Sequence, residues 1–229
     1  MTRQLICLLY TLFLLPMPGL SDLDKDQERD QEQPMVLEVE IHNRVFYVYD
    51  NSDVSKLATD HNKTTTIPGK TFAIVVGIGD IVSVNGKPAK GTWVTRLTPV
   101  NLTAFPNPGQ ALADTIRSNK SDSTYEILRP DGTPVGTIMA TGLAGGAPPP
   151  GSPADIANGN LAITGGTGAF LGARGQVGGK AGGVFGRAAS ATEDPAFRRV
   201  HGGGTQTEVL AIIPDSIQRE EDLREYLGR

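Results

Sequence analysis

From Met35 onward, the sequence consists largely of short segments in which apolar and polar residues alternate. These segments are MVLEVEI, RVFYVYD, TFAIVVGI, DIVSV, GTWVTRLT, STYEILR, PVGTIMATGL, NLAIT, GAFLGARGQV and TEVLAII. Alternation over a few residues, bounded by Gly, Asn, Asp and Pro, is typical of half-buried β-strands. No stretch before Pro214 shows the apolar stripe of a helix, so we predict an all-β fold. Short strands in this number must close into a barrel or stack as a sandwich to remove their edges.

The turn signals support this interpretation. Asn85-Gly86 and Asp131-Gly132 are residue pairs that supply the positive φ of a tight hairpin turn. The segment from Leu143 to Asn158 is a loop by composition, and we expect it to overhang a barrel mouth.

The two ends of the chain differ from the middle. Residues 1–21 have a basic start, a short apolar run and small residues, which predicts a cleaved signal peptide and a secreted protein, with an uncleaved membrane anchor as the alternative. Residues 22–34 are acidic and predict a disordered linker. The β-barrel domain is predicted over 35–213, and 214–229 form a C-terminal tail with a possible short helix.

Composition excludes several classes of function. The sole cysteine, Cys7, lies in the leader, so the mature chain has no disulfide and no thiolate metal ligand. The formal net charge is -4 with no basic face, which argues against binding nucleic acid. His42, His61 and His201 lack metal-ligand spacing and are predicted to be surface residues, so no metal site is expected. No membrane span is expected in the mature chain.

The glycine-rich stretch NLAITGGTGAFLGARGQ, residues 160–176, has two interpretations. It could be the phosphate-binding loop of a dinucleotide fold or a tight turn between two barrel strands. The spacing of Gly165, Gly168 and Gly172 does not fit the dinucleotide motif, and the glycines that follow would destabilise the helix that the motif requires. We therefore interpret Gly165, Gly166 and Gly168 as a structural turn.

The strand pattern also suggests a lining for a cavity. If residues 169–177 form a strand, Phe170, Arg174 and Gln176 share one face, and the opposite face is small and apolar. An arginine on such a face either meets solvent or lines a pocket. Trp93 and Arg96 lie on opposite faces of their strand, and Trp93 is the better candidate for the interior, as a core or a ligand-contacting residue.

The stretch GGTGAFLGARG at residues 165–175 resembles the signature of the allene oxide cyclase barrel superfamily, which includes the plant dirigent proteins. The preceding YEILRPDGTPVGTIMATG is similar to the hairpin before the signature in bacterial exported members, and the resemblance extends from Tyr125 to Val177. It implies a closed antiparallel eight-stranded β-barrel of calycin-like shape, commonly trimeric, with an apolar cavity. It implies neither a metal nor an organic cofactor.

The resemblance implies a barrel that binds and orients a small hydrophobic or reactive molecule, as a cyclase or isomerase or as a stereochemical guide. The alternative is a non-catalytic secreted carrier or structural module, and the sequence leaves open whether the chain is an enzyme. The predicted partners are a small hydrophobic molecule and further copies of the chain, as a trimer or dimer. The predicted cavity-lining residues are Arg174, Phe170, Gln176, Trp93 and Tyr125, and no catalytic residue is assigned.

Overall fold

The computed structural model describes residues 34–49, 74–99, 119–144, 148, 150–153, 155–184, 186–189, 192–213 and 223. These residues form ten strands: β1 (Met35–Tyr49), β2 (Ile74–Val84), β3 (Lys87–Pro88), β4 (Lys90–Pro99), β5 (Asn119–Leu128), β6 (Pro134–Ala144), β7 (Asn158–Gly168), β8 (Gly175–Gly179), β9 (Arg187–Ala189) and β10 (Gly204–Ile212). A 3₁₀ turn at Pro195–Phe197 leads into one short helix, α1 (Arg198–His201).

Eight of the strands close into an antiparallel barrel. Their order is β1-β2-β4-β5-β6-β7-β8-β10, and β10 pairs with β1 to complete the ring. Strand β3 extends a hairpin from the end of β2, and β9 lies parallel to the second half of β1. The predicted all-β fold and its closure as an eight-stranded barrel are confirmed. Strands β1 and β2 are longer than the sequence pattern suggests, because each joins two predicted segments.

Strand β1 contains a bulge that changes which residues face the interior. Asn43 has a φ of 52°, and the pairing of β1 with β10 shifts register between Ile41 and Arg44. Before the bulge, the odd-numbered residues of β1 belong to the buried apolar cluster. After the bulge, the residue that belongs to this cluster is Phe46, which has an even number. An extra residue in one strand reverses the alternation beyond it. The bulge therefore turns Arg44 and Phe46 towards the inside of the barrel.

The glycine-rich stretch forms a tight corner between β7 and β8. Residues 169–172 are a turn, and β8 begins only at Gly175, so the stretch is not one continuous strand. Gly168 has a φ of 63°, a conformation that favours glycine. A Cβ at Gly166 would lie 2.4 Å from the Phe170 carbonyl oxygen and 2.6 Å from that of Thr137. The missing side chain therefore lets the backbone fold back onto itself at this point.

We expect Gly166→Ala to destabilise the barrel by about 1–3 kcal/mol, the usual cost of overpacking, because backbone atoms have no easy way to move aside. The matched control is Gly165→Ala, whose new Cβ would have no neighbour nearer than 3.7 Å. Urea unfolding of both variants measures the difference. Equal stability of the two variants would show that the corner does not depend on close backbone packing.

The connection from β8 to β10 is held by ion pairs, two of which are buried. Arg187 donates two hydrogen bonds to the Glu193 carboxylate, at 2.9 and 2.6 Å, and a third to the carbonyl of Gly202. Arg198 and Arg199 from α1 both contact Asp80 on β2. The hydrogen bond from Arg187 holds the pKa of Glu193 below its ordinary value. These contacts fasten the connection to the barrel wall.

The predictions for the two ends of the chain fall largely outside the described residues. The structure does not describe residues 1–33, and between 214 and 229 it describes only Leu223. Leu223 is helical, fully buried and part of the apolar cluster of the barrel. Within the ranges that the structure describes, no helix has the length and apolar character needed to cross a membrane.

Candidate functional site

The barrel encloses a cavity of about 260 Å³, which we call the interior cavity. Its walls combine aromatic rings, hydroxyl groups, two opposite charges and amide side chains. The lining residues are Arg44, Phe46, Trp93, Thr95, Leu97, Asn119, Ser121, Ser123, Tyr125, Ala144, Asn158, Gly159, Leu161, Gly179, Gln206 and Glu208. A cavity slightly smaller than the usual range for ligand sites suits a small molecule.

Strands β4 and β5 supply the central part of this lining. Trp93 pairs with Tyr125 across the two strands, and Trp93 and Tyr125 are both nearly fully buried. Because side chains alternate along a strand, Thr95 and Leu97 face the same way as Trp93, whereas Arg96 is exposed on the outer face. The prediction from the sequence that Trp93 and Arg96 point to opposite sides is confirmed.

An arginine lies among the aromatic rings of the interior cavity. The guanidinium carbon of Arg44 is 4.5 Å from the ring centre of Trp93 and 5.6 Å from that of Phe46. The two rings meet edge to face, with their centres 6.0 Å apart. Such cation–π contacts stabilise a buried guanidinium and hold its plane in one orientation. The indole N–H of Trp93 is buried and makes no hydrogen bond of good geometry with any described residue.

Glu208 on β10 provides the opposite charge. Its Oε1 lies 3.6 Å from an Nη of Arg44, and the two side chains are 13% and 6% exposed. Burial raises the pKa of Glu208 above its ordinary value, although the charge of Arg44 acts in the opposite direction. Burial likewise raises the pKa of Tyr125, and the negative charge of Glu208 adds to that effect. The cavity therefore holds a carboxyl group that retains its proton more readily than an exposed glutamate.

Three hydroxyl groups form a polar cluster on the same wall. Thr95 Oγ1 lies 2.8 Å from Ser123 Oγ and 3.0 Å from Ser121 Oγ. All three side chains are buried, and their hydroxyl groups hydrogen-bond to one another. Because a hydroxyl can both donate and accept, this cluster can reorient to bind a polar group of a ligand.

The interior cavity reaches one end of the barrel. Its lining includes the first residues of β5 and β7, Asn119 and Asn158, and the last residues of β6 and β8, Ala144 and Gly179. Antiparallel strands place these four positions at the same rim. The sequence predicts that the loop from Leu143 to Asn158 overhangs a barrel mouth. Because Ala144 and Asn158 belong to this loop and also line the cavity, the loop is attached to the strands at the rim of the cavity.

The predicted site residues lie in two places. Trp93 and Tyr125 line the interior cavity, where they are neighbours. Phe170 is fully buried in the apolar cluster. A Cβ on Gly136 would crowd its ring, and a Cβ on Gly166 would crowd its carbonyl oxygen and Cβ. The structure thus brings together two of the five predicted residues at the cavity.

Arg174 and Gln176 lie apart from the residues that line the interior cavity. Arg174 is exposed, and its Nη1 donates to the carbonyl oxygens of Thr164 and Ala173, each at 2.8 Å. Gln176 is half-buried and donates to the hydroxyl of Ser152. In this structure Arg174 therefore stabilises the backbone of the glycine corner, and its predicted contact with a ligand stays a prediction.

Sequence reasoning missed the two charged residues of the site. Glu208 was recognisable in principle, because it alternates in phase with the buried Leu210 and Ile212. Arg44 was not, because the bulge at Asn43 reverses the alternation just before it. The inward positions of the three residues of the hydroxyl cluster follow from the same alternation that places Trp93 and Tyr125 inside the barrel.

The described residues offer few donors for a metal. No group of three or more His, Cys, Asp or Glu side chains among them is arranged to hold an ion. His42 pairs with Glu40 at 2.7 Å, and His201 stacks on Phe197 and lies 3.6 Å from Glu193. His61 lies outside the described ranges.

Comparison with known proteins gives little guidance. No family model matches the sequence, and no curated protein matches it. The chain is similar to a solved structure named pyocyanin demethylase, at 18% identity and a TM-score of 0.35, over 76% of this chain and 98% of that chain. A likeness at this level carries no argument about the fold or the function.

Proposed function

We propose that this chain is a cofactor-free barrel of the allene oxide cyclase and dirigent type, exported from the cell, that binds and orients a small hydrophobic or reactive molecule. In this role it acts as a cyclase or isomerase or as a stereochemical guide. The interior cavity carries the proposal, since it combines aromatic walls with an enclosed pair of opposite charges. Such a site can hold a substrate in one conformation and stabilise charge that develops on it.

The presence of Arg44 and Glu208 inside the barrel supports a functional role over a purely structural one. Replacing a buried ion pair with apolar residues of similar volume is often neutral or stabilising, so stability alone does not favour charges in this position. Protein interiors are otherwise packed with few voids larger than a water molecule. A hollow of about 260 Å³ beside two buried charges is therefore typical of a binding site.

The alternative is a secreted carrier or a structural module without catalysis. A structural module requires no ligand, whereas a carrier requires uptake of a ligand without chemical change. Native mass spectrometry of the purified protein distinguishes these roles through a co-purifying small molecule, and it also counts the subunits of the proposed homo-oligomer. Mass analysis of the released molecule before and after incubation separates a carrier from an enzyme.

We expect nitrobenzene to quench the fluorescence of Trp93 in a saturable manner. Trp93 is the only tryptophan of the chain and lines the interior cavity, so its emission reports on occupancy of that cavity. Ser123→Phe, which fills the cavity, should abolish the saturable component. Thr124→Phe, on the outward face of the same strand, is the matched control and should retain it. Quenching that remains linear in the wild type would contradict the proposed binding role.

A further inference from the structure

Arg44 reaches the interior cavity because β1 contains the bulge at Asn43. The pairing of β1 shifts register at this point against both neighbouring strands, between Ile41 and Arg44 on the β10 side and between His42 and Val45 on the β2 side. An unbroken strand that buries Ile41 would turn position 44 outwards. Whatever holds the bulge therefore also holds the cation inside the cavity.

The bulge needs support from outside its own strand. Asn43 has a φ of 52°, a left-handed conformation that residues other than glycine seldom adopt. Such a conformation persists where surrounding contacts hold it. A Cβ on Gly203 would lie 2.5 Å from the carbonyl carbon of Asn43, and one on Gly79 would lie 3.2 Å from Cγ of Arg44. Strand β2 and the connection that leads into β10 therefore both pack closely against the bulge.

Asp80 on β2 links the bulge to α1. Its Oδ2 accepts a hydrogen bond from Nδ2 of Asn43 at 2.9 Å. Its Oδ1 accepts hydrogen bonds from Nη2 of Arg198 at 2.5 Å and from Nη2 of Arg199 at 2.8 Å. The side chains of Asp80 and Arg198 are only 11% and 8% exposed. The two arginines thus orient the carboxylate so that its second oxygen meets Asn43.

The charge of Asp80 strengthens this link. Burial acts to raise the pKa of Asp80, but hydrogen bonds from Arg199, Asn43 and Arg198 outweigh it and hold the pKa below its ordinary value. Asp80 is therefore ionised at neutral pH. A hydrogen bond to an ionised acceptor is stronger than one between two neutral groups, so Asp80 holds the Asn43 amide firmly.

We infer that Asp80 is a positioning residue for the interior cavity: it holds the bulge at Asn43 and thereby sets the position of Arg44 against the ring of Trp93. The short helix α1 on the outside of the barrel is in this way coupled to a charge on the inside. This inference rests on the proposed function, because Arg44 is the cation of the proposed binding cavity.

The test detects the position of Arg44 through Trp93. Trp93 is the only tryptophan of the chain, so its indole N–H gives a single peak in a nitrogen–proton correlation NMR spectrum. The guanidinium carbon of Arg44 lies 4.5 Å from the ring centre of Trp93, so displacement of this cation changes the field at the ring and moves the peak. Arg44→Met removes the cation and defines the position of the peak in its absence.

We expect Asp80→Asn to move the peak most of the way from its wild-type position to its position in Arg44→Met. An amide replaces one of the two acceptor oxygens with a donor group, which faces either Asn43 or the arginines of α1. In the double variant, Asp80→Asn with Arg44→Met, the peak should stay where Arg44→Met alone places it, because the effects of residues that act through one another are not additive.

Asp122→Asn is the matched control. Its carboxylate binds Lys120 at 2.7 Å on the outer face of β5, and both side chains are exposed. The substitution therefore removes the same charge and an ion pair without touching the bulge. The peak of Trp93 should stay at its wild-type position in this variant.

Each outcome bears on a defined statement. An unchanged peak in Asp80→Asn, even with a lower midpoint of urea unfolding, would reduce Asp80 to a structural role and overturn the inference. A shift of equal size in the Arg44→Met background, or in Asp122→Asn, would show that the effect does not pass through Arg44 and would overturn it as well. The spectra are recorded without a ligand, whereas linear quenching by nitrobenzene counts against the proposed function, so the two failures are distinguishable.

Asn43→Gly keeps the inference testable if Asp80→Asn does not fold for want of a partner for buried Arg198. Glycine adopts a positive φ readily, so this variant removes the hydrogen bond to Asp80 and leaves the ion pairs of α1 in place. We expect the peak to move towards its Arg44→Met position. Asn85→Gly, at a φ of 50° in the turn between β2 and β3, is the control and should leave the peak unchanged. A wild-type peak in Asn43→Gly would overturn the inference.

Discussion

Replacement of Arg187 with methionine is expected to lower the free energy of unfolding by about 3–5 kcal/mol, the usual cost of breaking a buried ion pair from one side. Arg187 is 1% exposed, and its guanidinium binds both carboxylate oxygens of Glu193 and the carbonyl of Gly202. Methionine fills much of the same volume but leaves the carboxylate of Glu193 without these donors. Urea unfolding followed by circular dichroism measures the loss.

The control for Arg187→Met is Lys180→Met, which removes an ion pair with the same distance between nitrogen and oxygen. Lys180 and Glu38 are joined at 2.6 Å, as are Arg187 and Glu193, but the side chains of Lys180 and Glu38 are 42% and 38% exposed. Solvent weakens an exposed pair, so we expect much less change in stability from this variant. Similar losses in the two variants would show that burial is not what makes the Arg187 pair important.

Phe170→Ala is expected to lower the free energy of unfolding by about 3–5 kcal/mol, as is typical when a buried phenylalanine is truncated. Phe170 is 1% exposed, and its ring packs where Gly136 has no side chain. Leu171→Ala is the matched control, because Leu171 is the next residue and is 46% exposed, and we expect it to change stability by about 0.5 kcal/mol or less.

The same pair of variants tests the role that the sequence predicts for Phe170. Because Phe170 is not among the residues that line the interior cavity, Phe170→Ala should still bind nitrobenzene at temperatures well below its midpoint of unfolding. A variant that folds with wild-type stability and loses binding would instead support Phe170 as a ligand contact.

The structure gives the glycine-rich signature a physical explanation. Gly166 permits close backbone packing, Gly168 supplies a positive φ, and Arg174 binds the carbonyl oxygens of Thr164 and Ala173 across the corner. The sequence assigns the turn to Gly165, Gly166 and Gly168, whereas the structure places these glycines at the end of β7 and the turn itself at residues 169–172. The sequence analysis placed Phe170, Arg174 and Gln176 on one face on the condition that residues 169–177 form a regular strand. That condition is not met, because residues 169–172 form a turn.

The local pattern by itself determined the fold class and part of the site of this protein. Alternation along β4 and β5 is a property of every extended strand, so the inward positions of Trp93 and Tyr125 follow from the order of residues alone. Only the tertiary structure decided where Arg44 and Glu208 meet, because β1 changes its alternation at the bulge near Asn43, and the two residues come together only when β10 closes the barrel against β1. A bulge depends on pairing with neighbouring strands, and that pairing is not encoded in any short stretch of sequence.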